Sequence, residues 1–435
     1  MGLGKHFFFG CIFGLSSTAH ALDLNQTIKT ALQENPYIYQ QQQLVEVNQQ
    51  EINLTKSRRL PQINLSADAG WSQRKDETTE ANSTDNVKGR AGIGVNGRWD
   101  FYDGGRYAGD LSASEKRYLA ARSSLAAVQQ DVAMRVIQAY YDVYLNREQL
   151  AFSSDVAKAY DDLVAHVEKR VKKGLAPEYE LSEARLARSE IDFRAQSLQQ
   201  ALIEAEAAFF VEASIPPNSL EEPIRPNNQI FQQQDAEKWK TLALENNPML
   251  QQLAFNAQAL NNQVDVAASA SKPTLAVEAS HRWDDGAEEL AGDRQDSSVL
   301  LRMNWQLTGQ STSSQVNKAQ AQYRSAKAEL QYRQKEITRQ IQVISYSRKS
   351  ALASLDLYGE DLKRIQQLLK ASRKRLEMST GSNSGVSAAV KVLKQYQSAQ
   401  DGYLKAYFES QLLAYRLLHA TGLLNEALDL PQHNS

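Results

Sequence analysis

The chain is written twice. Residues 31–71 (ALQENPYIYQQQQLVEVNQQEINLTKSRRLPQINLSADAGW) lie without a gap on residues 243–283 (ALENNPMLQQLAFNAQALNNQVDVAASASKPTLAVEASHRW), at a constant offset of 212, with nine of 41 positions identical. The identities include Asn35-Pro36 with Asn247-Pro248, Pro61 with Pro273, and Trp71 with Trp283. Self-similarity over that length marks a duplicated structural unit, so whatever the first half builds the second half builds again.

Each copy follows one plan. A polar, Gln-rich helix (25–57 and 236–270) ends ahead of Pro61 or Pro273, because the residue before a proline is pushed out of the helical region. Two extended runs separated by a polar loop follow. A very long helical pattern comes next (106–172 and 312–379), then a glycine-bearing break and a return helix (178–212 and 386–423). At ~1.5 Å per residue such a helix reaches about 100 Å, more than a globular domain needs. Val156, Tyr160, Leu163, Val167 and Val171 recur at three- and four-residue steps, and so do Ile191, Leu198, Leu202, Ala205 and Phe209 in the first return helix, a coiled-coil or helical-barrel seam. The expected division is a leader over 1–21, a first repeat over 22–212, a linker over 213–235, a second repeat over 236–425 and a tail over 426–435.

The extended runs carry the function. Over 62–72, 90–101, 275–283 and 298–307, apolar residues alternate with polar ones: Ile63, Leu65, Ala67, Ala69 and Trp71 against Gln62, Asn64, Ser66, Asp68 and Gly70 in the first. Period two gives each strand one greasy and one wet face, and about ten residues is the span of a tilted transmembrane strand. Trp71, Trp99, Trp283 and Trp305 fall near strand ends, where an indole suits the membrane–water interface. The competing reading, a soluble four-stranded sheet packed on the helices, leaves the charges of Asp68, Arg98, Glu278 and Arg302 on one face unexplained.

One stretch spells a different chemistry. Gly92, Gly94 and Gly97 in GIGVNGRWDFYDGGR satisfy G-x-G-x-x-G, but a dinucleotide cradle needs strand, glycine turn and helix in close succession. Here the glycines lie inside an alternating strand that runs on to Phe101, and no cofactor is expected. Open strand edges in lipid cost several kcal/mol per unpaired group. Four strands per chain cannot close a barrel, so the barrel is shared between chains: two copies supply eight strands and three supply twelve. Polar inward residues favour the wider tube, since eight strands fill with their own side chains.

Composition excludes other classes. Forty-nine Lys+Arg against 51 Asp+Glu leave no basic excess for nucleic acid. Lys5, the apolar run Phe7–Leu15 and Ala19-His20-Ala21 read as a secretory signal, with an uncleaved anchor as the alternative. Cys11, the only cysteine, lies inside it and not at a lipid-attachment position. Beyond the leader, His166, His281, His419 and His433 form no metal or catalytic spacing, and no G-x-S-x-G occurs. Neither a catalytic residue nor a metal site is expected.

The duplicated A-L-x-x-N-P helix, the S-x-x-x-P approach to a strand, the W-D-F-Y-D-G-G strand exit and the G-L-A-P break together resemble the TolC family of outer-membrane efflux and secretion proteins, over essentially the whole mature chain. That resemblance implies a mainly α fold with membrane β: a homotrimeric 12-stranded β-barrel in outer-membrane lipid, continuing into an α-helical barrel across the periplasm. It also implies a periplasmic adaptor and an inner-membrane transporter of RND or ABC type as partners. Carried over residue by residue, the periplasmic tips correspond to Gly174, Leu175, Ala176 and Pro177, and to Gly381, Ser382, Asn383, Ser384 and Gly385. The plain alternative for each is a helical hairpin with glycine at the C-cap and proline opening the next helix.

This sequence departs from the family in one respect. No Asp or Glu occurs from Ser379 to Gln400, where relatives often carry an acidic ring. Lys169, Arg170, Lys172, Lys173, Arg373, Lys374 and Arg375 nearby either complement helix dipoles or make the mouth weakly cation-selective. The acidic stretch 284–297 reads as a solvated external loop, with a divalent-ion site as the minor alternative. The expected function is passive conduction in a tripartite export system, for small-molecule efflux or type I protein secretion. The rival is a periplasmic coiled-coil scaffold or adaptor without a pore.

Overall fold

The computed structural model describes residues 23–72, 88–217, 220–223, 231, 235–288, 292–307, 310–378 and 385–429; the leader and the stretch Gly381–Ser384 lie outside these. In the first copy the elements are α1 (Leu24–Glu34), α2 (Pro36–Ser57), β1 (Gln62–Ser72), β2 (Lys88–Tyr102), α3 (Arg106–Lys172) and α4 (Glu178–Ala213). In the second they are α5 (Ala236–Asn246), α6 (Pro248–Ser269), β3 (Thr274–Glu288), β4 (Gly292–Asn304), α7 (Gln310–Met378) and α8 (Val386–Thr421), with a short α9 (Leu424–Ala427) after it.

The offset of 212 survives into atomic detail. Asp23 and Asp235 cap α1 and α5, accepting from the amides of Gln26 at 2.6 Å and Lys238 at 3.0 Å. The single helices expected over 25–57 and 236–270 are each two helices, which corrects that reading. Asn35 and Asn247 leave the helical region (φ −70°, ψ 117° and φ −64°, ψ 119°). Their side chains then accept from the first amides of the next helix, Tyr37 and Met249, at 2.9 and 3.0 Å. The proline behind each asparagine disfavours αR at that residue and pre-sets the first turn of α2 or α6.

The four strands form one antiparallel sheet in the order β1-β2-β3-β4. Ile63 and Leu275 are equivalent in the two copies, yet Ile63 pairs through Gly97 with Ala279, four residues beyond Leu275. That stagger tilts the strands, as barrel closure requires. Among the described residues, no strand pairs with the outer edge of β1 or of β4. β3 and β4 are longer than the alternation predicts, so most of the supposed loop 284–297 is strand, and Asp284 is buried on the sheet rather than solvated.

The long helices leave the sheet and fold back as hairpins, α3 on α4 and α7 on α8, while α2 and α6 flank the sheet-proximal stretch of α3. Two cores hold them. The larger lies around Tyr140, Tyr141, Phe209, Tyr415 and Ile341; the smaller, near the helix turns, joins Tyr160, Leu163 and Val167 to Leu181, Ala184, Val386 and Val390. The linker is tied to the larger core: Glu221 and Pro217 offer their carbonyls to Tyr140 Oη at 2.7 Å and Arg147 Nη2 at 2.5 Å.

Candidate functional site: the two-faced sheet and the helix turns

Ile63, Leu65, Val299, Leu301 and Met303 project from one face of the sheet, each between 64% and 76% exposed, with no protein layer over them. The opposite face is a lattice of ion pairs. Arg98 meets Asp100 and Glu278, each at 2.9 Å, and Arg302 meets Glu278 at 2.8 Å. Nearer the outer end, Arg282 reaches Asp68 at 2.6 Å and Asp284 at 2.8 Å, and Arg90 meets Asp284 at 3.5 Å. Moving each large aliphatic of the bare face out of water is worth roughly 1.5–3 kcal/mol, whereas the paired charges need no such transfer. A sheet of this kind has lipid on one side and water on the other.

The lattice explains the glycine pattern that mimics a nucleotide motif. Arg282, on β3, crosses over β2 to reach Asp68 on β1, and it passes above Gly92 and Gly94. A Cβ at Gly92 would meet Asp284 Oδ1 and Arg282 Nη2, and one at Gly94 would lie 3.5 Å from Arg282 Cγ. The glycines clear a path for an arginine, and they lie within β2, which runs on to Tyr102 before α3 begins at Arg106, so they form no turn at a helix N-terminus to receive a phosphate.

The four tryptophans separate into two kinds. Trp99 and Trp305 lie at the helix-proximal end of the sheet. Each donates its indole N–H to a carbonyl just past the preceding helix, Arg59 O at 3.1 Å and Ser271 O at 3.0 Å, again 212 residues apart. Trp71 lies at the far end of β1, 83% exposed. Trp283 pairs with Ile93 inside β3, which continues to Glu288, so it does not terminate its strand as the sequence suggested. His281, on the bare face, bonds Ser297 Oγ at 2.8 Å.

At the other end of the molecule, α3 closes in a Schellman turn. Leu175 N–H donates to Arg170 O and Gly174 N–H to Val171 O, both at 2.9 Å, with Gly174 at φ +69°. Pro177 then caps α4. Gly385, at φ +73°, caps α8, whereas Gly381, Ser382, Asn383 and Ser384 lie outside the described residues. Of the cations near the turns, Arg170 is buried, and its guanidinium donates to Leu175 O at 3.2 Å and to Leu376 O at 3.4 Å. It thereby ties the first turn to the last turn of α7, a structural task that no sequence motif announced. Lys172 pairs instead with Glu168 on its own helix at 3.1 Å.

A second feature invisible in the sequence links the two return helices, which run side by side in the same direction. Ser387 donates to Glu183 at 2.7 Å, Lys394 meets Glu190 at 2.5 Å, and Arg194 pairs with Asp401. Ser387, Lys394 and Asp401 are seven residues apart, one heptad per rung. Burial pushes the Asp401 carboxyl up, and Arg194 opposes that shift. In the larger core, burial raises Tyr141 and takes Tyr415 to about 12, and the two phenol hydroxyls share a hydrogen bond.

Among the described residues no group of His, Cys, Asp and Glu is arranged to hold a metal ion, and no helix is long and apolar enough to cross a membrane.

The fold recurs in solved structures. The chain superposes on the outer membrane protein VceC of Vibrio cholerae with a TM-score of 0.79, covering 92% of this chain and 96% of that one at 17% identity. It matches the CmeC outer membrane channel of Campylobacter jejuni at TM-score 0.76 over 98% and 94% of the two chains, at 14% identity. The MtrE outer membrane channel of Neisseria gonorrhoeae, in its open state, gives 0.75 over 92% and 89%, also at 14%. In sequence the chain is 24% identical over 270 residues to protein CyaE of Bordetella pertussis, 60% of this chain and 54% of that protein, so it spans about half the length of the curated relative it matches. The family model for outer membrane efflux proteins matches residues 27–209 and 239–419, one segment in each copy. With both copies accounted for, the chain belongs to the outer membrane efflux protein family.

Proposed function

We propose that three copies of this chain close a twelve-stranded barrel in the outer membrane, and that their helices continue it as a water-filled tunnel across the periplasm. The carrying observation is a sheet whose outer edges are unpaired among the described residues, with one bare apolar face and one charge-paired face, continuous with helices of 67 and 69 residues. A lone sheet of this kind is unstable in lipid, and only neighbouring copies satisfy its edges. On this reading the ion-paired face lines the lumen. Trp99 and Trp305 mark the inner interface and Trp71 the outer one, while Trp283 sits within the lipid band.

The chain is a passive conduit, not an enzyme. An inner-membrane pump drives the solute and a periplasmic adaptor couples pump to tunnel. The turn Gly174–Pro177 and the stretch 381–385 are the adaptor-facing segments, and the two repeats with their linker are the domain units. Small-molecule efflux and type I secretion both fit such a tube; comparing drug sensitivity and secreted proteins in a deletion strain separates them.

The deciding experiment is purification in detergent followed by insertion into a planar bilayer. Discrete conductance steps from a heat-sensitive oligomer are expected. A monomer stable in plain buffer that never conducts would return the chain to the scaffold reading.

A further inference from the structure

We infer that the first-copy junction between barrel and helices is an anion-binding cradle open to the lumen, which holds carboxylate or phosphate groups of solutes in transit; this rests on the channel reading above. Where α2, β2 and α3 meet, a concave cavity of about 550 Å³ is lined by Arg58, Arg59, Arg98 and Arg106. Arg98 and Asp100 belong to the ion-paired face, on the opposite side of the sheet from Ile63 and Val299, so the cavity opens to the wet side.

The carboxylates in the cavity are already committed. Asp100 is held by Arg98 at 2.9 Å, and Asp110 pairs with Arg106 at 3.8 Å. Asp103 accepts from the amides of Gly105 at 3.1 Å and Tyr107 at 2.6 Å, capping α3. Arg59 lies over the Tyr107 ring, 5.4 Å from its centroid. Among the described residues no carboxylate lies within 4.0 Å of Arg58 or Arg59; the pairs at this junction belong to Arg98 and Arg106. Two guanidinium groups are therefore left facing water in a concave, charge-lined recess, where an arginine fork suits carboxylate and phosphate.

The duplication supplies an internal control. Aligned on Pro61 and Pro273, Arg58 and Arg59 correspond to Ala270 and Ser271; aligned on Trp99 and Trp305, Arg98 and Asp100 correspond to Asn304 and Gln306, and Arg106 and Asp110 to Thr312 and Val316. The second junction is built without these charges yet makes the same tryptophan-to-carbonyl bond, 3.0 Å against 3.1 Å. Folding the junction does not need the arginines, so they serve something that the second junction does not. Around a three-copy tunnel, three arginine-lined cradles would alternate with three junctions that carry only Lys272 at the matching helix end.

The test is the reversal potential of the assembled full-length channel in a planar bilayer under a potassium chloride gradient, with inorganic tripolyphosphate as a second probe. In R58Q/R59Q the chloride-to-potassium permeability ratio should fall about two-fold and tripolyphosphate block should weaken, while R58K/R59K keeps both. R58Q alone, which removes a side chain without an ion-pair partner, should give a smaller shift in the same direction and guards against a folding defect in the double variant. Conducting channels of unchanged selectivity and block in R58Q/R59Q would overturn the cradle. Absence of conductance from every form, the unmodified chain included, would overturn the channel reading instead.

Discussion

Arg170 is 7% exposed and bridges two helix turns through the carbonyls of Leu175 and Leu376. Replacing it with alanine removes two charge-assisted hydrogen bonds and should cost the tip roughly 2 kcal/mol. Trypsin should then cleave faster at Lys172–Lys173 while the sheet end stays protected; an unchanged cleavage pattern would contradict the bridging role. Tyr415 offers a second test at this scale. Burial holds its phenol at about 12 in the folded chain, above the ~10 of an unfolded one. A raised folded pKa means the neutral phenol contributes stability below pH ~10 and loses it as pH rises toward 12. Stability followed by thermal melts should fall across that window, and Tyr415→Phe should flatten the fall.

The two return helices are joined by rungs of unequal strength. Lys394 and Glu190 are half exposed, at 50% and 48%, so Lys394→Ala should cost less than about 1 kcal/mol. Asp401 is only 12% exposed, and its carboxyl is already pushed up by burial with Arg194 opposing. Arg194→Ala leaves that acid without its cation and should cost about 2 kcal/mol or more. Hydrogen exchange on α8 would rank the two, and equal protection in both variants would argue against the ladder. The same elements show what pattern reading caught and missed. Heptad-like apolar spacing located α3 and α4 nearly to the residue, because a helix of that length repeats its signal many times. The breaks at Asn35 and Asn247 were missed, since a single capping bond with a proline behind it is a local event inside an otherwise helical pattern.

As an outer-membrane protein with a periplasmic helical portion, the chain should migrate as an oligomer in unheated detergent gels and as a monomer after boiling. Trp99→Ala and Trp305→Ala should lower the temperature of that transition by similar amounts, because each breaks the same bond in a different copy. In potassium chloride gradients the intact channel should show weak cation selectivity at most. No acid occurs from Ser379 to Gln400, and Asp68, Glu278 and Asp284 on the sheet are paired with arginines. A strong preference for potassium would contradict this.

Duplication, alternation and helix length are properties of the linear order of residues, and from them the class of fold and the two-faced sheet follow without coordinates. The turn between α3 and α4 was likewise legible, through Gly174 and Pro177, whose backbone demands are local. Three-dimensional pairing decided the rest. The four-residue stagger between β1 and β3, the arginine that crosses two glycines, and the guanidinium that fastens one hairpin to the other depend on pairings of Gly97 with Ala279, Arg282 with Asp68 and Arg170 with Leu376, each joining residues far apart in the chain. Such contacts leave no periodic trace, because the free energy that selects them comes from neighbours the chain acquires only on folding.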